Sequence, residues 1–182
     1  MDPSNPAIDA VSATGVPFEV VRTKPANSAE ESAGFQGIGL EDLLQTIVVR
    51  RGVDDYLFLL VPAGRRFDWP KLRALLGVSR LSLPDAEEAR EVTGYERGAI
   101  TPFASSRAWP VVADASVVGR PRVAIGGGGR GVNLHLAADD LIRATRATVA
   151  DVTSPDDRAS HHDGASHADG HASRHDRPTT DG

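Results

Sequence analysis

The sequence contains no cysteine, and this absence excludes several kinds of site. Without a thiol the chain has no disulfide, no thiolate zinc centre and no cysteine nucleophile. A sequence free of cysteine is compatible with a reducing compartment. Lysine is almost as scarce, because only Lys24 and Lys71 occur among the 20 basic residues. Arginine therefore supplies most of the positive charge.

Long hydrophobic runs are absent as well. No apolar stretch approaches the roughly 20 residues that a membrane-spanning helix needs, and the first residues lack the pattern of a signal peptide. We therefore expect no membrane association and a cytoplasmic location.

Histidine and charge set the last part of the chain apart. From Asp151 onward the chain holds five of the six histidines, together with seven Asp, three Arg and almost no large apolar residue. Such a segment buries too little apolar surface to offset the entropy of ordering it. A histidine-rich tract can bind zinc, nickel or copper, but we favour a solvated low-complexity end. The five residues are His161, His162, His167, His171 and His175.

These patterns divide the chain into three regions. We predict a flexible amino-terminal segment over residues 1–14, one domain over residues 15–152 and a disordered tail over residues 153–182. The tail region carries most of the formal net charge of −5, so the domain itself is nearly neutral. A neutral domain neither requires nor excludes a nucleic-acid partner, because such binding needs a local basic face.

Capping residues and glycines predict several short helices within the domain. Ser28 with Glu31 forms a capping box, while Asp68 and Asp85 are typical N-caps. The corresponding helices are predicted to end near Gly34 or Gly37, at Gly77 and at Gly94. On the second of them, one apolar face is predicted to contain Trp69, Leu72, Leu75 and Leu76.

The other apolar runs predict strands. A glycine-containing turn joins residues 43–51 to residues 54–62 and favours a hairpin. Further strands are predicted at 16–22, 79–83, 109–118, 122–129 and 132–137, followed by a helix and a final extended piece. Strands and helices that intermix in this way predict an α+β fold, with a curved mixed, mostly antiparallel sheet packed with several short helices.

The glycine-rich stretch from Ile125 to Leu134 resembles a phosphate-binding loop only in composition. Five of the six residues from Gly126 to Gly131 are glycine, but a phosphate loop joins a strand to a helix, and here another strand follows. A phosphate enzyme of the glycine-loop class is therefore excluded. Two interpretations stay open, a flexible connection and a backbone that approaches a ligand closely.

Conventional catalytic groups are scarce in the domain. Its single histidine, His135, lies among apolar neighbours in a predicted strand, which favours a structural role. No GxSxG sequence suggests a nucleophile elbow, and no cluster of ligands suggests a metal or cofactor site. Any chemistry would rely on backbone groups, water and the substrate itself.

One segment is specific enough to indicate a family. TGYERGAITP, from Thr93 to Pro102, resembles the TGYxxGxIxP signature of the YbaK/proline-tRNA-synthetase insertion-domain family of aminoacyl-tRNA deacylases. Three further stretches resemble family segments in matching order, so the resemblance covers most of the domain. They are LLQTIVV, the pair WPKLRALLG and LPDAEEA, and GGGGRGVNLHLAADDL.

The resemblance implies hydrolysis of the ester of a mischarged tRNA, with cysteine, alanine or a similar small residue on tRNA-Pro or a related tRNA. It implies no cofactor and no metal. The partners would be the acceptor end of tRNA and prolyl-tRNA synthetase. It implies catalytic roles for Gln45, Gly98 and Ala99, and substrate contacts from Thr46, Ile100, Pro102, Gly126, Gly127, Gly128 and Asn133. Several arginines could meet phosphates or simply be solvated, namely Arg50, Arg51, Arg65, Arg66 and Arg130.

The sequence departs from the family at one position that matters for catalysis. Gln45 stands where members usually carry a lysine before the threonine, and Asn133 stands where some relatives have aspartate. A hydrogen bond to a charged group contributes about 1.5–3 kcal/mol, against about 0.5–1.5 kcal/mol for a neutral one. The alternative prediction is therefore a weak or inactive family member that binds tRNA, a nucleotide or a synthetase without hydrolysis.

Overall fold

The computed structural model of the protein describes residues 4–156. Within that range the chain forms five α-helices and nine β-strands. The helices are α1 (Pro6–Thr14), α2 (Ala29–Gln36), α3 (Trp69–Leu76), α4 (Ala86–Thr93) and α5 (Ala138–Thr145). The strands are β1 (Glu19–Arg22), β2 (Leu44–Gly52), β3 (Asp55–Pro62), β4 (Arg65–Phe67), β5 (Val111–Asp114), β6 (Val123–Gly126), β7 (Val132–Leu136), β8 (Thr148–Ala150) and β9 (Thr153–Pro155).

The strands form three sheets, and antiparallel pairs predominate. The largest sheet has the order β2-β3-β5-β8, with β2 antiparallel to β3 and the other neighbours parallel. A second, antiparallel sheet has the order β1-β7-β6, and β4 pairs with β9. A parallel bridge between Leu43 and Ala124 joins the two larger sheets beside β2. The predicted α+β fold with a mixed, mostly antiparallel arrangement is confirmed.

The hairpin of β2 and β3 forms the centre of the molecule. Every residue of β3 after Asp55 is buried, and alternate side chains enter different cores because successive residues of a strand point to opposite faces. Phe58 and Leu60 lie in the larger core with α1 and the second sheet. Leu57 and Leu59 lie in a smaller core together with α3. The hairpin thus separates two apolar layers.

The predicted caps are confirmed. The side chains of Ser28, Asp68 and Asp85 accept hydrogen bonds from the backbone N–H groups at the start of α2, α3 and α4. Left-handed glycines follow the same three helices, namely Gly37, Gly77 and Gly94. Two finer predictions are wrong. Leu75 is 40% exposed while Leu72 is fully buried, and residues 79–83 form only one isolated bridge, from Ser82 to Arg50.

The amino-terminal segment forms helix α1 from residue 6 onwards. This corrects the prediction that residues 1–14 are flexible. The side chain of Asn5 caps α1, and Pro6 occupies the first turn, where a missing N–H costs nothing. Ala7 and Val11 are fully buried one turn apart. Ile8 and Ala10 also pack against the larger core, so the apolar residues of α1 are not confined to one narrow face and their helical periodicity is weak in the sequence.

The carboxyl-terminal boundary also differs slightly from the prediction. Strand β9 runs to Pro155 and pairs with β4, so the folded domain continues beyond residue 152. The rest of the predicted tail, including its five histidines, lies outside the described residues. Among residues 4–156, no helix is long and apolar enough to cross a membrane, and no three potential metal ligands form a cluster.

Candidate functional site

A cleft of about 540 Å³ lies along β2. One side of it is formed by residues 43–48, at the outer edge of the largest sheet. The other sides come from the segment that leads into α2, from the start of α4, from the loop after α4 and from the loop between β6 and β7. The cleft therefore sits where the two larger sheets diverge from their bridge at Leu43 and Ala124.

The structure brings together most of the residues singled out by the sequence. The residues that line the cleft are Gln45, Thr46, Gly98, Ile100, Gly126 and Asn133, together with Arg130. Ala99, Pro102, Gly127 and Gly128 lie outside the lining. Ala99 is buried directly behind it. Segments more than 80 residues apart in sequence thus meet at one concave surface.

The loop after α4, from Gly94 to Phe103, has a fixed shape. Gly98 adopts a φ of 89°, which favours glycine, and the N–H of Ala99 donates to the carbonyl of Glu96 at 3.0 Å. The buried Tyr95 hydroxyl donates to the carbonyl of Phe103 at 2.6 Å, which closes the loop at its base. The loop therefore presents its backbone to the cleft in one defined conformation.

Gly126 allows this loop to lie against the second sheet. A Cβ atom at position 126 would come within 3.0 Å of the carbonyl oxygen of Ile100. Such contacts are tighter than side chains normally tolerate, so only glycine lets the two backbones approach this closely. The sequence left two interpretations open for the glycine-rich stretch, a flexible connection and a close approach of the backbone to a ligand. At Gly126 the backbone does approach another group closely, but that group is the neighbouring loop.

Gly127 and Gly128 lie against α1. The side-chain amide of Asn5 donates to the carbonyl of Gly127 at 2.9 Å. A Cβ atom at Gly128 would meet Tyr95 at 3.0 Å and Ala7 at 3.1 Å. Helix α1 was missed as part of the site by sequence reasoning, although the Asn-Pro pair at positions 5 and 6 is a recognisable helix start.

Two polar residues that line adjacent walls of the cleft differ in whether their side chains form hydrogen bonds. The hydroxyl oxygen of Thr46 is buried and has no hydrogen-bond partner within residues 4–156. Asn133 is engaged, because its Nδ2 atom donates to the carbonyl of Val21 at 3.1 Å. A buried hydroxyl without a partner costs free energy, so Thr46 offers an unused hydrogen-bonding group at the cleft.

The cleft is electropositive. Arg97 and Arg130 are exposed in its lining, and neither forms an ion pair with a carboxylate of the described chain. Among the lining residues that the structure describes, Asp85 carries the one carboxylate, which accepts the N–H of Glu88. Arg97 had no distinguishing signal in the sequence.

The other candidate arginines serve different contacts. Arg50 pairs with Glu88, and Arg51 pairs with Asp55. Arg65 lies 3.9 Å from Asp114, while Arg66 lies on β4 beside a smaller surface cavity. Of the five arginines considered as phosphate ligands, Arg130 is the one that lines the cleft.

His135 has a structural environment, as the sequence indicated. It is buried, and its Nε2 atom lies 2.8 Å from Oε1 of Gln36. Burial lowers the pKa of His135, and the positive charge of Arg122 lowers it further. The imidazole is therefore neutral at pH 7 and holds α2 against β7. It does not line the cleft, whose polar side chains include Gln45, Thr46 and Asn133 together with the two arginines.

Comparisons with known proteins agree with this arrangement. Residues 23–144 match the sequence model of the aminoacyl-tRNA editing domain. The chain is 28% identical over 110 residues to the proline–tRNA ligase of Thermosipho africanus, covering 60% of this chain and only 19% of that enzyme. It is 22% identical over 137 residues to EbsC of Enterococcus faecalis, a candidate Cys-tRNA(Pro)/Cys-tRNA(Cys) deacylase, covering 75% and 84% of the two chains.

Solved structures give the same result. A candidate trans-editing enzyme for prolyl-tRNA synthetase superposes with a TM-score of 0.75 at 27% identity, covering 85% of this chain and 99% of that one. The hypothetical protein APE2540 also gives a TM-score of 0.75, at 26% identity, with 81% and 98% covered. The family match spans well over half of the chain, and the cleft lies within it. The protein is a member of the aminoacyl-tRNA editing domain family.

Proposed function

We propose that the protein is a trans-editing deacylase that hydrolyses the ester between tRNA and a wrongly attached amino acid. The observation that carries this proposal is the cleft itself, where the rigid loop around Gly98 meets β2 at Gln45 and Thr46. The cleft offers backbone and neutral polar groups and contains no nucleophile–histidine pair among the described residues. An aminoacyl ester is already activated, so positioning and polarisation suffice for its hydrolysis.

The reaction assigns a task to each wall of the cleft. The backbone N–H groups of Gly98 and Ile100, the two loop residues that line the cleft, stabilise the negative charge that develops on the ester carbonyl oxygen. Water adds to the carbonyl carbon, the bond to the ribose oxygen breaks, and that oxygen takes up a proton as the amino acid leaves. The side chains of Gln45 and Thr46 contact the terminal adenosine, while Gly126 and Asn133 flank it.

The charge of the cleft suits a nucleic-acid end. Arg130 projects from the glycine-rich loop without a carboxylate partner in the described chain. Unpaired arginines bind phosphates well because the guanidinium donates several hydrogen bonds in a fixed plane. The nearly neutral net charge of the domain is no obstacle, since Arg97 and Arg130 supply positive charge locally at the cleft.

The substrate we propose is a small residue, cysteine or alanine, on tRNA-Pro or a related tRNA. The similarity to EbsC, a candidate Cys-tRNA(Pro)/Cys-tRNA(Cys) deacylase, supports cysteine, and the similarity to a candidate trans-editing enzyme for prolyl-tRNA synthetase supports tRNA-Pro. The chain spans about a fifth of the length of the proline–tRNA ligases that it matches. Its proposed partner is prolyl-tRNA synthetase. The proposed location is the cytoplasm.

A second function is favoured by one residue. Gln45 is exposed in the cleft at the position where the family resemblance leads us to expect lysine. A neutral amide donates weaker hydrogen bonds to a phosphate than an ammonium group does. The alternative is a protein that binds tRNA, a nucleotide or a synthetase without hydrolysing an ester.

A panel of mischarged tRNAs separates the two functions. Alanyl- and cysteinyl-tRNA-Pro are incubated with the wild type and with Gln45→Lys, and loss of the ester is followed over time. We expect slow hydrolysis by the wild type and at least tenfold faster hydrolysis by Gln45→Lys. If neither protein hydrolyses any member of the panel while the wild type binds tRNA in a salt-dependent way, the deacylase proposal fails and the binding function stands.

A further inference from the structure

The outer edge of β2 is open along the cleft. Strand β2 pairs with β3 on one side only. On its other side, bridges are present at both ends, from Leu43 to Ala124 and from Arg50 to Ser82. Between these two bridges the edge faces the cleft. Exposed strand edges are templates for further pairing, and proteins usually cover them.

Hydrogen bonds at the two ends establish which backbone groups face the gap. The N–H and C=O groups of Arg50 both bond to Ser82, so they point away from β3. The carbonyl of Leu43 accepts the N–H of Ala63, just beyond β3, so it points the opposite way. Backbone groups alternate sides along a strand. The N–H and C=O groups of Thr46 and Val48 therefore point into the cleft.

Neither residue uses these groups elsewhere in the described chain. No backbone or side-chain partner within residues 4–156 bonds to the N–H or C=O of Thr46 or Val48. The hydroxyl of Thr46 is also buried without a partner in that range. Thr46, which lines the cleft, thus has two backbone groups and one buried hydroxyl without a partner in the described chain, and each costs free energy if it remains unsatisfied.

Thr46 also lies beside the rigid loop. The parallel bridge aligns Ala124 with Leu43, so Gly126, two residues later on β6, is level in register with Gln45, and Gly126 and Thr46 both line the cleft. The carbonyl of Ile100 packs on Gly126. Val48 is two residues further from this contact. Of the two open positions, Thr46 is therefore the one next to the loop that would polarise an ester.

We propose that the aminoacyl group of the substrate binds as one residue of a missing strand, paired with Thr46. Its α-ammonium donates to the carbonyl of Thr46, and its ester carbonyl accepts the N–H of Thr46. A residue in an antiparallel sheet exchanges two hydrogen bonds with one opposite residue in this way. The inference rests on the proposed function, and it explains how a cleft lined by one carboxylate can hold an ammonium group.

Hydrogen exchange on the full-length ¹⁵N-labelled protein tests the pairing directly. The probe is 3′-alanylamino-3′-deoxyadenosine, in which an amide replaces the ester so that it persists. At saturation we expect the amide of Thr46 to exchange at least tenfold more slowly. The amides of Gln45 and Ile47, which already bond to β3, serve as internal references and remain unchanged. The N-acetylated probe, which lacks the ammonium group, should bind at least tenfold more weakly.

A pair of variants gives an independent readout. Thr46→Pro removes the N–H and the hydroxyl, whereas Thr46→Val removes the hydroxyl alone. Proline is tolerated on an edge strand when its missing N–H would face outwards. The substrate is a mischarged tRNA that the wild type hydrolyses. On it we expect kcat/KM of Thr46→Pro to be at least tenfold below that of Thr46→Val.

The pairing is overturned if the probe leaves exchange at Thr46 unchanged or does not bind. It is also overturned if Thr46→Pro folds and its kcat/KM equals that of Thr46→Val. The panel of mischarged tRNAs, run in parallel with the wild type, shows whether the proposed function fails as well. Ester hydrolysis without protection of Thr46 would refute the pairing and leave the deacylase standing. If Thr46→Pro does not fold, the hydrogen-exchange measurement still tests the pairing by itself.

Discussion

The side-chain amide of Asn5 donates a hydrogen bond of 2.9 Å to the carbonyl of Gly127, 122 residues later in the chain. Its Oδ1 atom at the same time accepts the N–H of Ala7 at 2.9 Å and so caps α1. One residue therefore starts the first helix and holds the glycine-rich loop beside the cleft. The backbone there lies between α1 and Tyr95, whose hydroxyl closes the other loop.

Asn5→Ala should weaken both the helix and the loop. Loss of the cap and of one long-range hydrogen bond should cost about 1–2 kcal/mol of unfolding free energy, measured by urea denaturation. Deacylation should fall at least threefold at saturating substrate, because the loop is less well held. Ser4→Ala is the matched control, since Ser4 makes only an exposed hydrogen bond to Asp9. Equal activities of the two variants would contradict the coupling.

Gly126→Ala should disturb the approach of the loop to β6. The added Cβ would lie 3.0 Å from the carbonyl of Ile100, so one backbone must move. We expect at least a tenfold loss of deacylation together with a lower melting temperature. Gly34→Ala is the control, because it lies within α2 with nothing within 4 Å of the new atom. That variant should gain about 0.5–1 kcal/mol in stability.

Tyr56 and Glu88 predict a loss of stability at alkaline pH. The hydroxyl of the buried Tyr56 donates to the carboxylate of Glu88 and ties α4 to β3. This hydrogen bond, followed by burial, raises the pKa of Tyr56 to about 12. A raised pKa in the folded state contributes stability that is complete below the unfolded value of 10.0 and is lost as the pH rises towards 12.

The measurement is urea denaturation from pH 8 to pH 11.5. The wild type should lose stability above pH 10, and Tyr56→Phe should lose less over that interval while being less stable at pH 8. A hydrogen bond to a charged group accounts for about 1.5–3 kcal/mol of that difference. Identical pH profiles for the two proteins would refute the assignment.

Asp114 predicts the opposite dependence, at acid pH. Burial alone would raise its pKa, but hydrogen bonds from Ser116 and from the N–H of Val152 outweigh burial and lower it. A lowered pKa in the folded state contributes stability that is present above the unfolded value and is lost as the pH falls through the folded one. The wild type should therefore lose stability below about pH 4.

Asp114→Asn tests this at constant shape. The amide nitrogen of asparagine would face N–H donors, so the variant should lose roughly 1–3 kcal/mol at pH 7 and show a shallower decline between pH 5 and pH 2. Asp139→Asn serves as the comparison, because Asp139 bonds only to the N–H of Gly119 at an exposed site. A steep acid transition retained in Asp114→Asn would show that another group controls it.

The sequence by itself determined the local structure and the family. Ser28, Asp68 and Asp85 predicted three helix starts, and the glycine turn at Gly52 predicted the β2–β3 hairpin, because these are short-range features of backbone geometry. The segment from Thr93 to Pro102 identified the family through two glycines, a tyrosine and a proline at fixed spacing. These signals are local, so they can be read without a fold.

Only the tertiary structure decided what those segments do together. Gly126 proved to be the contact for the loop of Ile100, and Gly128 the contact for α1, whereas composition left their role open. The open edge at Thr46 depends on which strands fail to pair with β2. Arg97 lines the cleft because the loop that follows α4 forms one of its walls. Each of these relationships depends on chain segments distant in sequence, and no local pattern records which of them will meet.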